Sequence, residues 1–334
     1  MTVHILENEL LYQENRWSRF RALLRQSLAE FLGTLLFVMF GLAASFQSSL
    51  SSNATMFPGE PRGDYASMCF GWGIGLCLGL WVSGGISGGH LNPAVTLAFA
   101  SLRRFSWVKD VVYWLSQLLG GCVGAAIVYG LYRFLHVLKD NIHPRLYERD
   151  SSSIFLASPN LYTSPATAFF SEFLCAAIFV LALFALTDSE NCSIVPELVP
   201  PALGIVFAGI GLCFGLNKHW TINPIRDLAS RLILSAVGYP SNVWVANSHY
   251  WLWGPIVSRV LSFQLYYSQH LSAEVFLEGF FYDAICFTGP ESILNRRHAV
   301  PHSTEPQLTE FEQTVCHPRR SCCDRCIKDA RAHF

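Results

Sequence analysis

Residues 87–99 read Ser-Gly-Gly-His-Leu-Asn-Pro-Ala-Val-Thr-Leu-Ala-Phe. A glycine-rich bend leads into Asn92, a residue type favoured at helix N-caps, and then Pro93, whose fixed φ suits the first helical position. The apolar run that continues through Ala94 is only about ten residues long, and at about 1.5 Å per residue it reaches about half-way through a bilayer core. A similar start recurs as Thr221-Ile222-Asn223-Pro224-Ile225-Arg226-Asp227. Two short helices opened by Asn-Pro, one in each half of an apolar chain, predict inverted half-helices meeting near the membrane midplane. That arrangement implies a passage for small neutral molecules.

The composition agrees with a membrane setting. The 334-residue chain is 51% hydrophobic and 14% charged, with several long segments almost free of charge. This excludes a soluble globule and predicts an integral, multi-pass membrane protein in contact with lipid. Net charge is only −1, but Arg16, Arg19, Arg21 and Arg25 precede the first span, and Arg103, Arg104 and Lys109 follow the first short helix. By the positive-inside rule these segments, the tail and both termini are cytoplasmic. A basic N-terminus could also be a nucleic-acid patch, but its place just before a span points to anchoring, so no nucleic-acid partner is expected. The first apolar run is too long, and its leader too polar, for a cleavable signal peptide. The expected outer loops carry no cysteine, which argues against a disulfide framework.

Three regions are expected: a cytoplasmic arm over 1–27, a membrane domain over 28–267 and a cytoplasmic, largely disordered tail over 268–334. The first repeat, 28–132, holds spans at about 28–46, 66–82 and 111–132, with the Asn92 half-helix before the third. Span one opens Ala29-Glu30-Phe31-Leu32, and span four, at about 166–186, restarts with Ser171-Glu172-Phe173-Leu174. That internal repeat, 166–267, continues with a span at about 198–216, the Asn223 half-helix to about Ala236 and a sixth span at about 250–267. Three spans separate the two starts, so the second repeat enters the membrane from the opposite face. Gln117 lies in span three, His90 and His249 near expected pore or membrane boundaries, and Asn53 in a sequon on the first outer loop. A late Cys316, His317, Cys322, Cys323, Cys326 cluster reads as inert tail, with acylation or zinc binding as alternatives.

With both Asn-Pro motifs, the repeated Glu-Phe-Leu starts and six spans in place, the chain resembles the major intrinsic proteins, the aquaporins and aquaglyceroporins. The resemblance covers about residues 28–267. It implies an all-α fold of six transmembrane helices and two half-helices, assembled as a homotetramer with one pore per subunit, with the plasma membrane the expected location. Asp227 directly after Arg226 resembles the glycerol-conducting branch, and Phe287-Thr288-Gly289-Pro290-Glu291-Ser292 resembles fungal members. Aligned on the glycerol channels, Trp72, Gly211, Trp220 and Arg226 fall at the outer constriction. Water-selective relatives carry a histidine where this chain has Gly211, so the resemblance implies a wider slot. It also implies a pore midplane made by Asn92, Pro93, Ala94, Asn223, Pro224 and Ile225. The chain departs from the family at Ile225, which replaces the usual alanine, at Ala229-Ser230 in place of Gly-Pro, and at Ser258-Arg259 in span six.

The chemistry follows from the half-helices. Their exposed N–H groups must be satisfied inside the protein. Asn92 and Asn223 can each cap a helix through oxygen, leaving the amide NH2 as a donor toward a passing oxygen. Each helix N-terminus carries about half a positive charge, so at about 5 Å and an effective dielectric near 20 a monovalent cation is repelled by about 3 kcal/mol. Water, glycerol and similar neutral solutes feel little of this. Glu30 and Glu172 are acids within spans, which by default reads as functional and leaves a proton-coupled transporter open; the alternative is that each supports the backbone entering a half-helix. A water- or peroxide-selective pore, or a non-conducting structural protein on the same fold, are the other readings. No nucleophile, metal or phosphate constellation is present, so neither an enzyme nor a cofactor is expected.

Overall fold

The computed structural model describes residues 16–51, 60–103, 105–142, 152–159, 162–188, 191, 194–217, 220–239, 242–252 and 254, all within a unit spanning Met1–Arg296. Among these residues every regular element is helical. In order the α-helices are α1 (Arg16–Ser51), α2 (Tyr65–Ser87), α3 (Pro93–Leu102), α4 (Trp107–Ile142), a single turn α5 (Ser152–Phe155), α6 (Pro165–Thr187), α7 (Val199–Phe214), α8 (Pro224–Ala236) and α9 (Asn242–Leu252), with short 3-10 turns at Pro196–Leu198 and Gly215–Asn217 on either side of α7. Among the described residues five segments are long and apolar enough to cross a membrane: Leu24–Ser51, Tyr65–Ser87, Trp107–Arg133, Pro165–Thr187 and Pro196–Phe214. The helix expected as span six starts earlier than expected, at Asn242, and its course beyond Gly254 lies outside the described residues. Asn53, Ser258-Arg259 and the cysteine-rich tail lie outside them too.

Helix ends follow local chemistry. The Asp64 side chain accepts from the Ser67 backbone N–H at 2.9 Å while Ser67 Oγ bonds the Asp64 backbone, a reciprocal cap that starts α2. The same N–H holds the Asp64 carboxyl below the ordinary carboxylate range. Ser164 caps α6 in front of Pro165, again with proline in the first turn. Helix α4 runs ten residues past the expected Tyr132, to Ile142, because the first helix-breaking proline after the span is Pro144.

The long helices approach closely where glycine removes the side chain. A Cβ on Gly79 would strike the carbonyl of Gly33 on α1, and one on Gly33 would lie 2.9 Å from that of Gly79. Gly73 of α2 and Gly204 of α7 make the same reciprocal contact. Such small-residue contacts let helices associate in lipid, where apolar side chains gain little by leaving their surroundings. They bring α1, α2, α4, α6, α7 and the half-helices α3 and α8 around one interior that holds Glu30, Glu172, Asn92 and Asn223, each no more than 5% exposed.

Candidate functional site

The two half-helices begin with matching backbone geometry. Asn92 Oδ1 accepts from the Ala94 N–H at 2.9 Å, and Asn223 Oδ1 from the Ile225 N–H at 3.0 Å. Pro93 and Pro224 occupy the first helical positions. The residues before the asparagines, Leu91 and Ile222, sit at φ 52 and 58. Bulky residues rarely adopt this left-handed conformation, which costs on the order of 1–3 kcal/mol each. It turns each carbonyl toward the opposite motif: Asn92 Nδ2 donates to the Ile222 carbonyl at 3.2 Å, and Asn223 Nδ2 to the Leu91 carbonyl at 2.7 Å. One N–H of each amide is spent on this cross-tie, and one remains.

A glutamate stands behind each strained residue. Glu30 Oε1 accepts from Ser87 Oγ at 2.5 Å and the His90 N–H at 2.9 Å, and its Oε2 from the Leu91 N–H and Gln117 Nε2, both at 2.8 Å. Glu172 Oε1 accepts from the Thr221 N–H, Thr221 Oγ1 and Tyr250 Oη, and its Oε2 from the Ile222 N–H at 3.2 Å. These charge-assisted bonds offset both the orphaned backbone donors and the positive φ. Tyr250 does in the second half what Gln117 does in the first, a substitution of chemistry that no repeat in the sequence announces.

Between the asparagines and two flanking vestibules lies a cavity of about 20 Å³, room for about one water. Its wall is apolar, with Phe37, Val95, Phe179 and Phe207 around Asn92 and Asn223. Phe37 and Phe179 escaped the sequence reading, although each lies seven residues after the glutamate of its repeat. On one side a vestibule of about 420 Å³ is lined by Trp81, Gly88, Glu197 and His90. His90 stacks on Phe99 at 4.7 Å and meets Tyr113 edge-on at 5.3 Å; its Nδ1 is buried with no protein partner.

On the other side a vestibule of about 580 Å³ ends at Trp220, Thr221 and Arg226. The Arg226 guanidinium lies 3.8 Å from the Trp72 ring centre and 4.7 Å from that of Trp220, and donates to the Trp220 carbonyl at 3.2 Å. The room expected beside Gly211 is shared with the Trp220 indole. A Cβ there would stand 2.9 Å from Trp220 Cη2 and from Cys69 Sγ, so the indole already takes the room that the missing side chain leaves. The Gly211 carbonyl accepts from Tyr65 Oη at 2.9 Å, tying α2 to α7 at the vestibule.

Two further residues have partners that the sequence does not announce. Ile225, bulkier than the alanine the family usually has there, sends its γ2 methyl into a notch on α4, where a Cβ on Gly121 would stand 2.7 Å away. Asp227 joins a buried pair with Arg231 at 2.6 Å. Together they grip one residue of the segment after α5 from both of its peptide groups: Asp227 accepts from the Ala157 N–H at 2.8 Å while Arg231 donates to the Ala157 carbonyl at 3.2 Å. Arg231 also donates to the carbonyl of Val243. Ala157 lines the larger vestibule, so this pair shapes its wall.

The family profile described as "Major intrinsic protein" matches residues 16–267. Aquaporin-7-2 of Laccaria bicolor is 40% identical over 291 residues, covering 87% of this chain and 82% of that one. The aquaglycerol porin AQY3 of Saccharomyces cerevisiae is 34% identical over 285 residues, 84% of this chain and 40% of that longer one. Among solved structures, the aquaglyceroporin from Plasmodium falciparum superposes with a TM-score of 0.64 at 28% identity, covering 78% of this chain and 96% of that one. The inverted half-helices, their crossed asparagines and these likenesses agree: the chain has the aquaporin fold and belongs to the major intrinsic protein family of membrane channels.

Proposed function

We propose that this channel passes glycerol, other small neutral solutes and water passively, with the constriction formed by Trp72, Gly211, Trp220 and Arg226. The observation that carries the reading is the guanidinium set in the angle between two indole faces. A polyol has one edge of hydroxyls and one of C–H groups. Arg226 offers donors to the first, and the indoles give carbon surface to the second. The names of the yeast relative, an aquaglycerol porin, and of the Plasmodium neighbour, an aquaglyceroporin, support the same solute class. Asn92 and Asn223 then each present the remaining amide N–H to the solute at the midplane.

Passive conduction rather than proton coupling is supported by the state of the two acids. Glu30 and Glu172 have their oxygens committed to backbone and side-chain donors around the half-helices. A carboxylate so occupied holds the backbone and has little room to carry a proton. A narrower, water- or peroxide-selective pore is the second reading, favoured by the Trp220 ring in the space beside Gly211. We further infer a homotetramer in the plasma membrane with both termini in the cytoplasm, the last from Arg16, Arg19, Arg21 and Arg25 ahead of the first span.

Proteoliposomes of the purified chain, shrunk in a glycerol gradient and followed by light scattering, test the proposal. Re-swelling faster than in empty vesicles supports glycerol conduction. Fast water flux with no glycerol flux would replace it by the narrow-pore reading, and solute accumulation driven by a pH or Na⁺ gradient would replace it by a transporter.

A further inference from the structure

Trp72 is held from behind by two positions of α1 that the constriction itself does not include. Gly41 leaves the space into which the indole ring fits, since a Cβ there would overlap the ring. One turn later, Ser45 Oγ accepts from Trp72 Nε1 at 3.0 Å. Ser45 has one hydroxyl proton, and it is spent on the Gly41 carbonyl at 2.9 Å. The hydroxyl is therefore left as an acceptor, and the indole N–H is what it accepts. Ser45 is 4% exposed and borders the larger vestibule, while Trp72 is 1% exposed, so little water competes for the indole proton.

We propose that Ser45 is a specificity-determining positioning residue: by taking the Trp72 N–H away from the lumen, it leaves the constriction with a carbon face there and with Arg226 as its donor. The inference rests on the reading of Trp72 as a constriction residue and goes beyond it to α1. Without the Ser45 oxygen the N–H has no acceptor in its present place. A buried donor does not stay unpaired when rotation can bring it to a polar lumen. The ring then presents an edge with a donor where it presented a face, and the apolar corner for the C–H side of a polyol is lost. Gly41 supplies only space, so it enables the orientation but does not select it.

The experiment compares glycerol and water permeability of Ser45→Ala, Trp72→Phe and the double variant in proteoliposomes, normalised to protein incorporated. Ser45→Ala is expected to lower the glycerol-to-water ratio by about threefold or more, a change in relative barrier that a purely structural loss would not produce. In the Trp72→Phe background, which has no N–H to hold, Ser45→Ala is expected to leave the ratio unchanged. Should Ser45→Ala fail to reach the membrane, Ser45→Cys, of similar size and a weaker acceptor, is read the same way. An unchanged ratio in Ser45→Ala beside a shifted ratio in Trp72→Phe overturns this inference alone. An unchanged ratio in Trp72→Phe overturns the constriction reading beneath it. An equal effect of Ser45→Ala in both backgrounds shows that the hydroxyl acts on something other than the indole.

Discussion

The Trp220 ring sits where a side chain on Gly211 would be, with Cη2 2.9 Å and Cζ3 3.0 Å from the position of a Cβ. On its other sides the indole meets Phe207, with ring centres 5.5 Å apart, and the Arg226 guanidinium. The tryptophan can move only toward the lumen if Gly211 gains bulk.

Gly211→Ala is therefore expected to narrow the pore. Glycerol permeability should fall by about fivefold, equivalent to about 1 kcal/mol in barrier, with a smaller loss for water. Trp220→Phe removes a ring from the same space and should raise glycerol permeability. Stopped-flow measurement of both solutes checks the pair; opposite signs in glycerol flux are the required result.

The Ile225 methyl and the Gly121 notch make a second testable fit. Ile225→Ala leaves that notch empty and should cost about 2–5 kcal/mol, as large-to-small core changes do. Gly121→Ala should also destabilise, because its Cβ would meet Ile225 and, at 3.0 Å, the Ala229 methyl. The double variant is expected to melt above Gly121→Ala alone in detergent, since the shortened side chain makes room. Additive losses would mean that the two residues do not share the space.

Breaking the Asp227–Arg231 pair should show the cost of an unpaired buried charge. Arg231→Met leaves Asp227, 1% exposed, facing the Ala157 peptide with half its partners gone. A loss of about 3–5 kcal/mol is expected. Adding Asp227→Asn removes the stranded charge and should recover a substantial part of it. Thermal unfolding of the three variants measures this, and a double variant no better than Arg231→Met would refute the pairing.

Substitution at Glu172 separates support of the half-helix from proton transfer. Glu172→Gln turns one oxygen into a donor facing either the Thr221 N–H (at Oε1) or the Ile222 N–H (at Oε2), so one buried donor loses its acceptor. Stability should fall by about 1–3 kcal/mol. Channels that do reach the vesicle should conduct without any change in response to a pH gradient. A gain or loss of gradient-driven flux would assign the carboxylate a transport role.

Much of the fold is legible in the chain because its signals are local. Asn92-Pro93 and Asn223-Pro224 specify cap and first helical position within two residues, and the length to Leu102 follows from the apolar run behind the first of them. The repeat of Glu30-Phe31-Leu32 as Glu172-Phe173-Leu174 places the two halves in opposite orientation, since lipid demands whole spans between them. What only the tertiary structure decides are the fits between distant segments. Leu91 and Ile222 take positive φ because Asn223 and Asn92 need their carbonyls and the glutamates need their N–H groups, a requirement that no glycine at those positions announces. Gly211 reads as open space until Trp220 is seen to fill it, and Ile225 reads as excess bulk until Gly121 is seen to receive it. Arg231, unremarked in the sequence, is 1% exposed and paired to Asp227, the Ala157 carbonyl and the Val243 carbonyl. Periodicity and caps act over one helical turn; the shape of a notch, and the acceptor that waits for a buried donor, come from separate segments that the tertiary fold brings together.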